Sequence, residues 1–234
     1  MTSLDAGPAG RTDADGALFD GAVFDAVLFD MDGTLVDSTR SVQRSWLEWA
    51  GEYGVPLDRL TGWHGVPAKQ IIATVVDDPA RHADALARIE ALEIEDAAGG
   101  ILVLPGAVEA LAALPAGRAA VVTSCTRLLA HARIAAAGLV APGVVVTASD
   151  VTHGKPDPEP FVLGARRLGA DPVRCLVVED APAGLVAGRA AGAATLAVVT
   201  THPAGELDAD VVVPTLVDVR FVTGPGGVRV VAAG

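Results

Sequence analysis

Short runs of β-branched and other apolar residues recur along this chain with Ala-rich, helix-patterned stretches between them, and this alternation restricts the fold more than any other feature. The runs fall at residues 22–29, 119–123, 144–147, 175–178, 195–199 and 211–213. They are apolar throughout rather than alternating, which suits strands buried on both faces of a parallel sheet. Between them, residues 128–137, 159–168 and 183–191 carry helical patterning, and Gly138 and Gly192 follow the first and last in the helix-stop position. The fold class is therefore α/β, a doubly wound, Rossmann-like parallel sheet.

One interval breaks the alternation. From residue 39 to residue 100 no strand pattern appears, only helical periodicity such as Val42, Trp46 and Trp49 on one face. The expected organisation is a disordered tail over 1–21, a core built from 22–38 and 101–223, and an inserted α-helical cap domain over 39–100. Ligands of open α/β sheets bind beyond the carboxyl ends of the strands, so an insert directly after the first strand is placed to cover the site.

Composition excludes several functions. Although 51% of the 234 residues are hydrophobic, no run approaches the roughly 18 uninterrupted apolar residues of a membrane span. The N-terminal stretch carries acidic residues and lacks the basic start and apolar segment of a secretory signal. A formal net charge of −12 repels nucleic acid and anionic membranes. The two cysteines, Cys125 and Cys175, match neither a redox CxxC nor a zinc pattern, so a reducing, cytoplasmic compartment is expected.

The first strand ends in FDMDGTLVDS, which sets Asp30 and Asp32 two residues apart and follows them with Gly33 and Thr34. Carboxylates at a strand end can hold a hard cation through oxygen, and one of them can attack phosphorus once its charge is neutralised. Gly33 lets the turn backbone approach a phosphate closely. The structural alternative is an acidic turn leading into a helix, with Asp37 or Ser38 as its N-cap.

The next strand ends in VVTSC, presenting Thr123 and Ser124 just before a helix, where hydroxyls and N–H groups suit a phosphate oxygen, although Ser and Thr are also ordinary N-caps. In THGKPDPEPF, Lys155 sits between Gly154 and Pro156, a stiff loop that fixes where its ammonium points. The segment is not a nucleotide P-loop, since the required earlier glycine is Ser149 and Lys155 precedes a proline. CLVVEDAPAG then ends a fully apolar strand in Glu179 and Asp180, which repel each other unless a cation lies nearby. With Asp30 and Asp32 they form a candidate metal site, and oxygen ligands without His or Cys favour Mg2+ over zinc.

DMDGT, Thr123, GKPDP and VVEDAPAG, in this order, resemble the four motifs of the haloacid dehalogenase superfamily. The insert between the first two resembles the helical cap of the subfamily that contains β-phosphoglucomutase and the sugar-phosphate, glycerol-phosphate and phosphoglycolate phosphatases. The resemblance implies a magnesium-dependent phosphohydrolase acting on a small phosphorylated metabolite, a sugar or polyol phosphate. It implies that Asp30 becomes an aspartyl phosphate, and that Asp32 protonates the leaving alkoxide and then activates water. It also implies that Thr123 holds the phosphoryl group, Lys155 balances charge, and Asp180 with Glu179 anchors the metal.

Rival activities are separated by single residues. A dehalogenase of this fold lacks the second aspartate, present here as Asp32. The mutase carries a cap histidine twelve positions after the nucleophile, where this chain has Val42. A cysteine phosphatase needs an arginine six positions after its cysteine, where this chain has His131 and Ala181. A binding protein that has lost catalysis would have replaced the nucleophile, the acid or the metal acids. In the cap, TGWHGVPAKQ offers His64 and Lys69 to substrate, Arg127 is a further candidate, and Glu90, Glu93 and Glu95 form either a solvated face or a hydroxyl-binding one. A capped enzyme needs no partner to complete its site, so a monomer is expected.

Overall fold

The computed structural model describes residues 16–60 and 67–234. Six parallel strands form the main sheet: β1 (Ala26–Phe29), β4 (Ala119–Val122), β5 (Val144–Val146), β6 (Cys175–Glu179), β7 (Ala194–Val198) and β8 (Val211–Val213). Their spatial order is β5-β4-β1-β6-β7-β8. The first strand is thus central, flanked by β4 on one side (Phe29 opposite Val121) and β6 on the other (Phe29 opposite Val178). The chain reverses its direction of winding between β1 and β6, and at such a switch point a crevice opens beyond the carboxyl ends of the strands.

Helices cover both faces because every residue of β1 is buried. Val27 and Phe29 point to one side and join Ala107 and Ala110 of α4 (Ala107–Ala112) and Ala130 of α5 (Arg127–Ala137). Ala26 and Leu28 point to the other and join Phe161 and Ala165 of α6 (Glu159–Arg167) and Ala187 of α7 (Pro182–Ala190). This is the two-residue strand period expressed as two cores. Burying one such Leu or Phe side chain is worth about 1.5–3 kcal/mol.

Residues 36–37 (β2) pair antiparallel with 102–103 (β3), Val36 opposite Val103 and Asp37 opposite Leu102. This short ribbon lies at the two ends of a helical segment comprising α1 (Thr39–Tyr53), α2 (Ala68–Val75) and α3 (His82–Ala97). The segment has its own apolar cluster around Trp49, Ile71, Ile72, Val75, Ile89 and Leu92, separate from both cores of the sheet. Trp49 is fully buried there, and its indole N–H donates to the Ala85 carbonyl at 2.9 Å. No described helix is long and apolar enough to cross a membrane.

Both ends of the chain depart from expectation. The tail was expected to be disordered to residue 21, but from Gly16 onward it is packed. Ala17 and Leu18 are buried, Ala17 bridges Val231, and the Leu18 N–H donates to the Val230 carbonyl at 2.9 Å. The remainder, residues 1–15, lies outside the described residues. The core was expected to end at residue 223, yet β9 (Val219–Gly224) and β10 (Gly227–Ala232) form a hairpin whose Phe221, Val228 and Val230 enter the same core as Phe29. The two departures are linked, because residues 17–24 bridge the hairpin at Val228 and Val231 and share its core through Leu18 and Phe24.

Candidate active site

Four strand ends supply the crevice. Asp30 follows β1, Thr123 follows β4, and Glu179 and Asp180 end β6, while the chain after β7 contributes Thr200 and Thr201. Asp30, Glu179 and Asp180 are all buried, and one oxygen of each lies within 4.8 Å of the others. Lys155 enters from the loop before α6, its Nζ 2.5 Å from Asp30 Oδ1, 2.7 Å from Glu179 Oε1 and 2.9 Å from the Val122 carbonyl. The loop lysine singled out in the sequence is therefore the counter-charge of the cluster.

Three buried carboxylates face one ammonium, and their proton affinities show the imbalance. Burial pushes Asp30 well above the ordinary carboxylate range, Lys155 opposes the shift, and Glu179 and Asp180 add to it. Asp180 is pushed up to about 7 by burial and then by Glu179, against the opposing hydrogen bond from Thr201. Burial works against the Lys155 ammonium, but Asp30 and Glu179 outweigh it and hold its pKa above the ordinary lysine value. A divalent cation is what such a donor set lacks, and an all-oxygen, buried carboxylate cluster fits one.

The acids are not equivalent. Glu179 is fully engaged, with Oε1 on Lys155 and Oε2 accepting from the Asp180 and Ala181 N–H groups at 2.9 and 3.0 Å. It fits an orienting role better than direct ligation. Asp180 accepts from the Thr34 hydroxyl at 3.2 Å and from the Thr201 hydroxyl. Thr34, a candidate substrate-binding residue of the first-strand turn, thus holds a carboxylate here. Gly33 has φ +88°, and a Cβ there would lie 2.2 Å from Asp180 Oδ2. Only glycine lets the first-strand turn pass this close to the acidic cluster.

Asp32, expected among the metal acids, has its side chain elsewhere. Its Oδ1 is 2.9 Å from Arg133 Nη1, and its Oδ2 accepts from the Cys125 thiol at 3.1 Å. The acidic pair thus divides between the carboxylate cluster, which Asp30 joins through Lys155, and the face toward α5, where Asp32 meets Arg133. Cys125 stays a neutral thiol there, since burial and then Asp32 push its pKa well up. Thr123 is buried and its Oγ1 accepts from the Cys125 N–H at 3.1 Å, which leaves its O–H to donate into the crevice. Ser124 is exposed at the mouth of the same loop.

Two outlying candidates do not join the cluster. Arg127 is exposed and pairs with Asp150 at 2.8 Å. Lys69 is exposed in the first turn of α2. His64 lies outside the described residues. Sequence reasoning in turn passed over Thr200, Thr201, Cys125 and Arg133. Thr201 was readable as a hydroxyl just past an apolar strand, and Arg133 as a lone charge on the buried stripe of α5 with Leu129 and Ala130.

A family model described as haloacid dehalogenase-like hydrolase matches residues 24–192. Hexitol phosphatase A of Escherichia coli (strain K12) is 42% identical over 209 residues, covering 84% of this chain and 94% of that protein. Validoxylamine A 7'-phosphate phosphatase of Streptomyces hygroscopicus subsp. limoneus is 35% identical, covering 82% and 93%. Among solved structures, a hydrolase from Pseudomonas syringae superposes with a TM-score of 0.71 at 27% identity, covering 82% of this chain and 94% of that one.

Proposed function

This chain belongs to the haloacid dehalogenase-like hydrolases and is a phosphoric monoester hydrolase, and we propose that it is a magnesium-dependent phosphatase of hexitol or related sugar and polyol phosphates, working through an aspartyl phosphate on Asp30. The observation that carries this reading is the buried cluster of Asp30, Lys155, Glu179 and Asp180 at the sheet's switch point. The names of the relatives support the substrate class.

In the proposed first step an oxygen of Asp30 forms a bond to phosphorus while the bond to the ester oxygen breaks. The electron pair stays on that oxygen, which takes the proton of Asp32 and leaves as the alcohol. In the second step water attacks phosphorus, its proton passes to Asp32, and the bond to Asp30 breaks to release phosphate. Asp30 and Asp180 are the residues that would hold Mg2+, which when bound supplies the positive charge that lets one anion approach another. Thr123 donates to a phosphoryl oxygen, and Lys155 favours the ionised form of Asp30 and fixes its direction. Catalysis in this scheme is positioning and electrostatics in a site already aligned.

The helical segment is assigned the role of cap, with residues near Lys69 and His64 as its substrate-facing candidates. Val42, half-buried in α1, offers no proton donor for reorienting a bisphosphate, which favours water over a second sugar as acceptor. Two free thiols suit a cytoplasmic setting, and a site assembled within one chain suits a monomer.

The test is phosphate release from a panel of hexitol, hexose, glycerol and short-acid phosphates, with magnesium and with EDTA. Release from hexitol or hexose phosphates that stops in EDTA supports the proposal. Metal-independent release, or no release from any ester, overturns it.

A further inference from the structure

Arg133 has no part in the two steps above, yet it is among the most completely buried charged groups of the molecule, 4% exposed within the Ala-rich helix α5. Burying a guanidinium is costly unless it is paired. Its partners come from three separate places. Asp32 in the first-strand turn lies 2.9 Å from Nη1, the Cys125 sulfur in the phosphate loop accepts from Nη1 at 3.1 Å, and Glu93 of α3 lies 3.4 Å from Nη2. Its Nε has no hydrogen-bond partner among the described residues. One turn before Glu93, Glu90 accepts from the Thr126 hydroxyl that caps α5. The helical segment thus docks on the core through two adjacent polar contacts, and one of them continues to Asp32.

We propose that Arg133 is a positioning residue, holding the Asp32 carboxylate on the leaving-group side of the crevice and tying that orientation to the docking of α3 through Glu93. The inference rests on the acid–base reading of Asp32. A carboxylate two residues from Asp30 would otherwise be drawn toward Lys155 and any cation in the acidic cluster, where it could not reach the ester oxygen. Arg133 supplies a competing positive charge on the opposite side. Its contact with Asp32 Oδ1 is ionic rather than a well-aligned hydrogen bond, so the carboxylate is steered rather than locked. Glu93 balances the Arg133 charge from the side of α3. A displaced α3 would remove that balance, so the acid is correctly aimed only when the helical segment is seated.

The test uses the leaving group. An alkoxide departs only with a proton, whereas p-nitrophenolate departs without one. Release of alcohol in a single turnover, which reports the first step alone, is compared for a hexitol phosphate and p-nitrophenyl phosphate in wild type, Asp32→Asn, Arg133→Lys and Glu93→Gln, with a melting curve for each. Asp32→Asn should slow the hexitol ester by about 100-fold or more and the aryl ester far less. Arg133→Lys should show the same bias with a loss on the order of 10- to 100-fold on the hexitol ester, and Glu93→Gln a smaller loss of the same sign. Equal losses on both esters in Arg133→Lys, beside a biased Asp32→Asn, would reduce Arg133 to a structural residue and overturn the inference. An unbiased Asp32→Asn would instead overturn the acid–base reading beneath it. Should Arg133→Lys lack a cooperative melt, Glu93→Gln, which preserves shape and leaves Arg133 in place, decides by the same ratio.

Discussion

Lys155 meets Asp30 and Glu179 with 6% of its side chain exposed, whereas Arg88, the charged hub of the helical segment, meets Glu48, Glu52 and Glu95 with 33% of its side chain in solvent. The chemistry of the two pairs of ions is alike and the medium differs. Near the sheet, low dielectric makes each charge expensive and each contact strong, so Asp30 and Asp180 shift their proton affinity upward. On the helices, water screens the pairs and they hold little energy. The molecule thus separates a region whose polar groups are fixed by burial from one whose polar groups can change without disturbing the fold. The proposed catalytic set lies in the first and the proposed substrate-facing residues in the second.

The largest effect that would sharpen this contrast is at Asp30. Asp30→Asn keeps shape but cannot attack phosphorus, so kcat should fall by at least about 10⁴-fold, roughly 5.5 kcal/mol of transition-state stabilisation. Because burial already favours the neutral form of this carboxyl, the melting temperature without metal should hold or rise. Steady-state phosphate release together with a thermal melt checks both halves. Retention of more than about a hundredth of wild-type kcat, with deamidation excluded, would remove Asp30 as nucleophile.

Next in size is a cavity at Trp49, which is buried, hydrogen-bonded to Ala85 and stacked on Tyr53 at 4.7 Å between ring centroids. Trp49→Ala should cost about 3–5 kcal/mol locally. Since its apolar cluster is separate from those of the sheet, amide exchange should lose protection in α1 and α3 while β1, β4 and β6 keep theirs. Equal loss in the strands would show that the two regions unfold as one unit and would dissolve the comparison.

How much of this was readable in the sequence follows the same division. Six apolar runs gave the six strands, since fully buried strands need continuous hydrophobicity and little else, and the acids at their ends lie where the sheet topology converges. Lys155 was legible because Gly154 and the following prolines mark a fixed loop. The partners of Asp32 and Thr34 were not legible, because which way a turn residue points depends on Arg133 and Asp180, more than a hundred positions away in the sequence. The cover at residues 17–24 escaped notice because its bridges to Val228 and Val231 join opposite ends of the chain, whereas the hairpin at 219–232 pairs locally between Gly224 and Gly227 and was readable from its own turn. The substrate-facing part of the helical segment carries no such markers. Screened polar residues on a helix look alike whether they bind a ligand or only face water.

A third test opposes the two regions through pH in metal-free protein. The carboxyl of Asp180 moves from an ordinary 3.8 up to about 7 on folding. A raised acid favours folding when protonated, so this contribution is present below about pH 4 and disappears as pH rises through about 7. In EDTA, Tm should therefore fall between pH 5 and pH 8, on the order of 5 °C, and magnesium should restore more at pH 8 than at pH 5. Glu52, lowered by Arg88, has the opposite sign and acts only below the ordinary carboxylate range. A Tm in EDTA that is flat or rising over this interval would show that the buried acids are relieved by something other than a cation.

The smallest expected effect is at Arg88, and its smallness is informative. Arg88 donates to Glu52 at 2.6 and 2.8 Å and reaches Glu48 and Glu95 at 3.5 and 3.9 Å, joining α1 to α3 along their solvent side. Counted by contacts, this is the most connected cation of the helical segment among the ion pairs described. Counted by medium, each pair is screened, and holding four long side chains in one arrangement costs entropy that offsets the attraction. Arg88→Gln should therefore move Tm by less than about 2 °C, less still at 0.5 M salt, where the Debye length is about 4 Å. Turnover of a hexitol phosphate should stay within about twofold, because Arg88 has no contact with Asp32, Arg133 or Glu93. A drop of about 5 °C or more would mean that the surface network clamps α1 to α3 and that the helical segment is held as firmly by its charges as the sheet end is by Lys155.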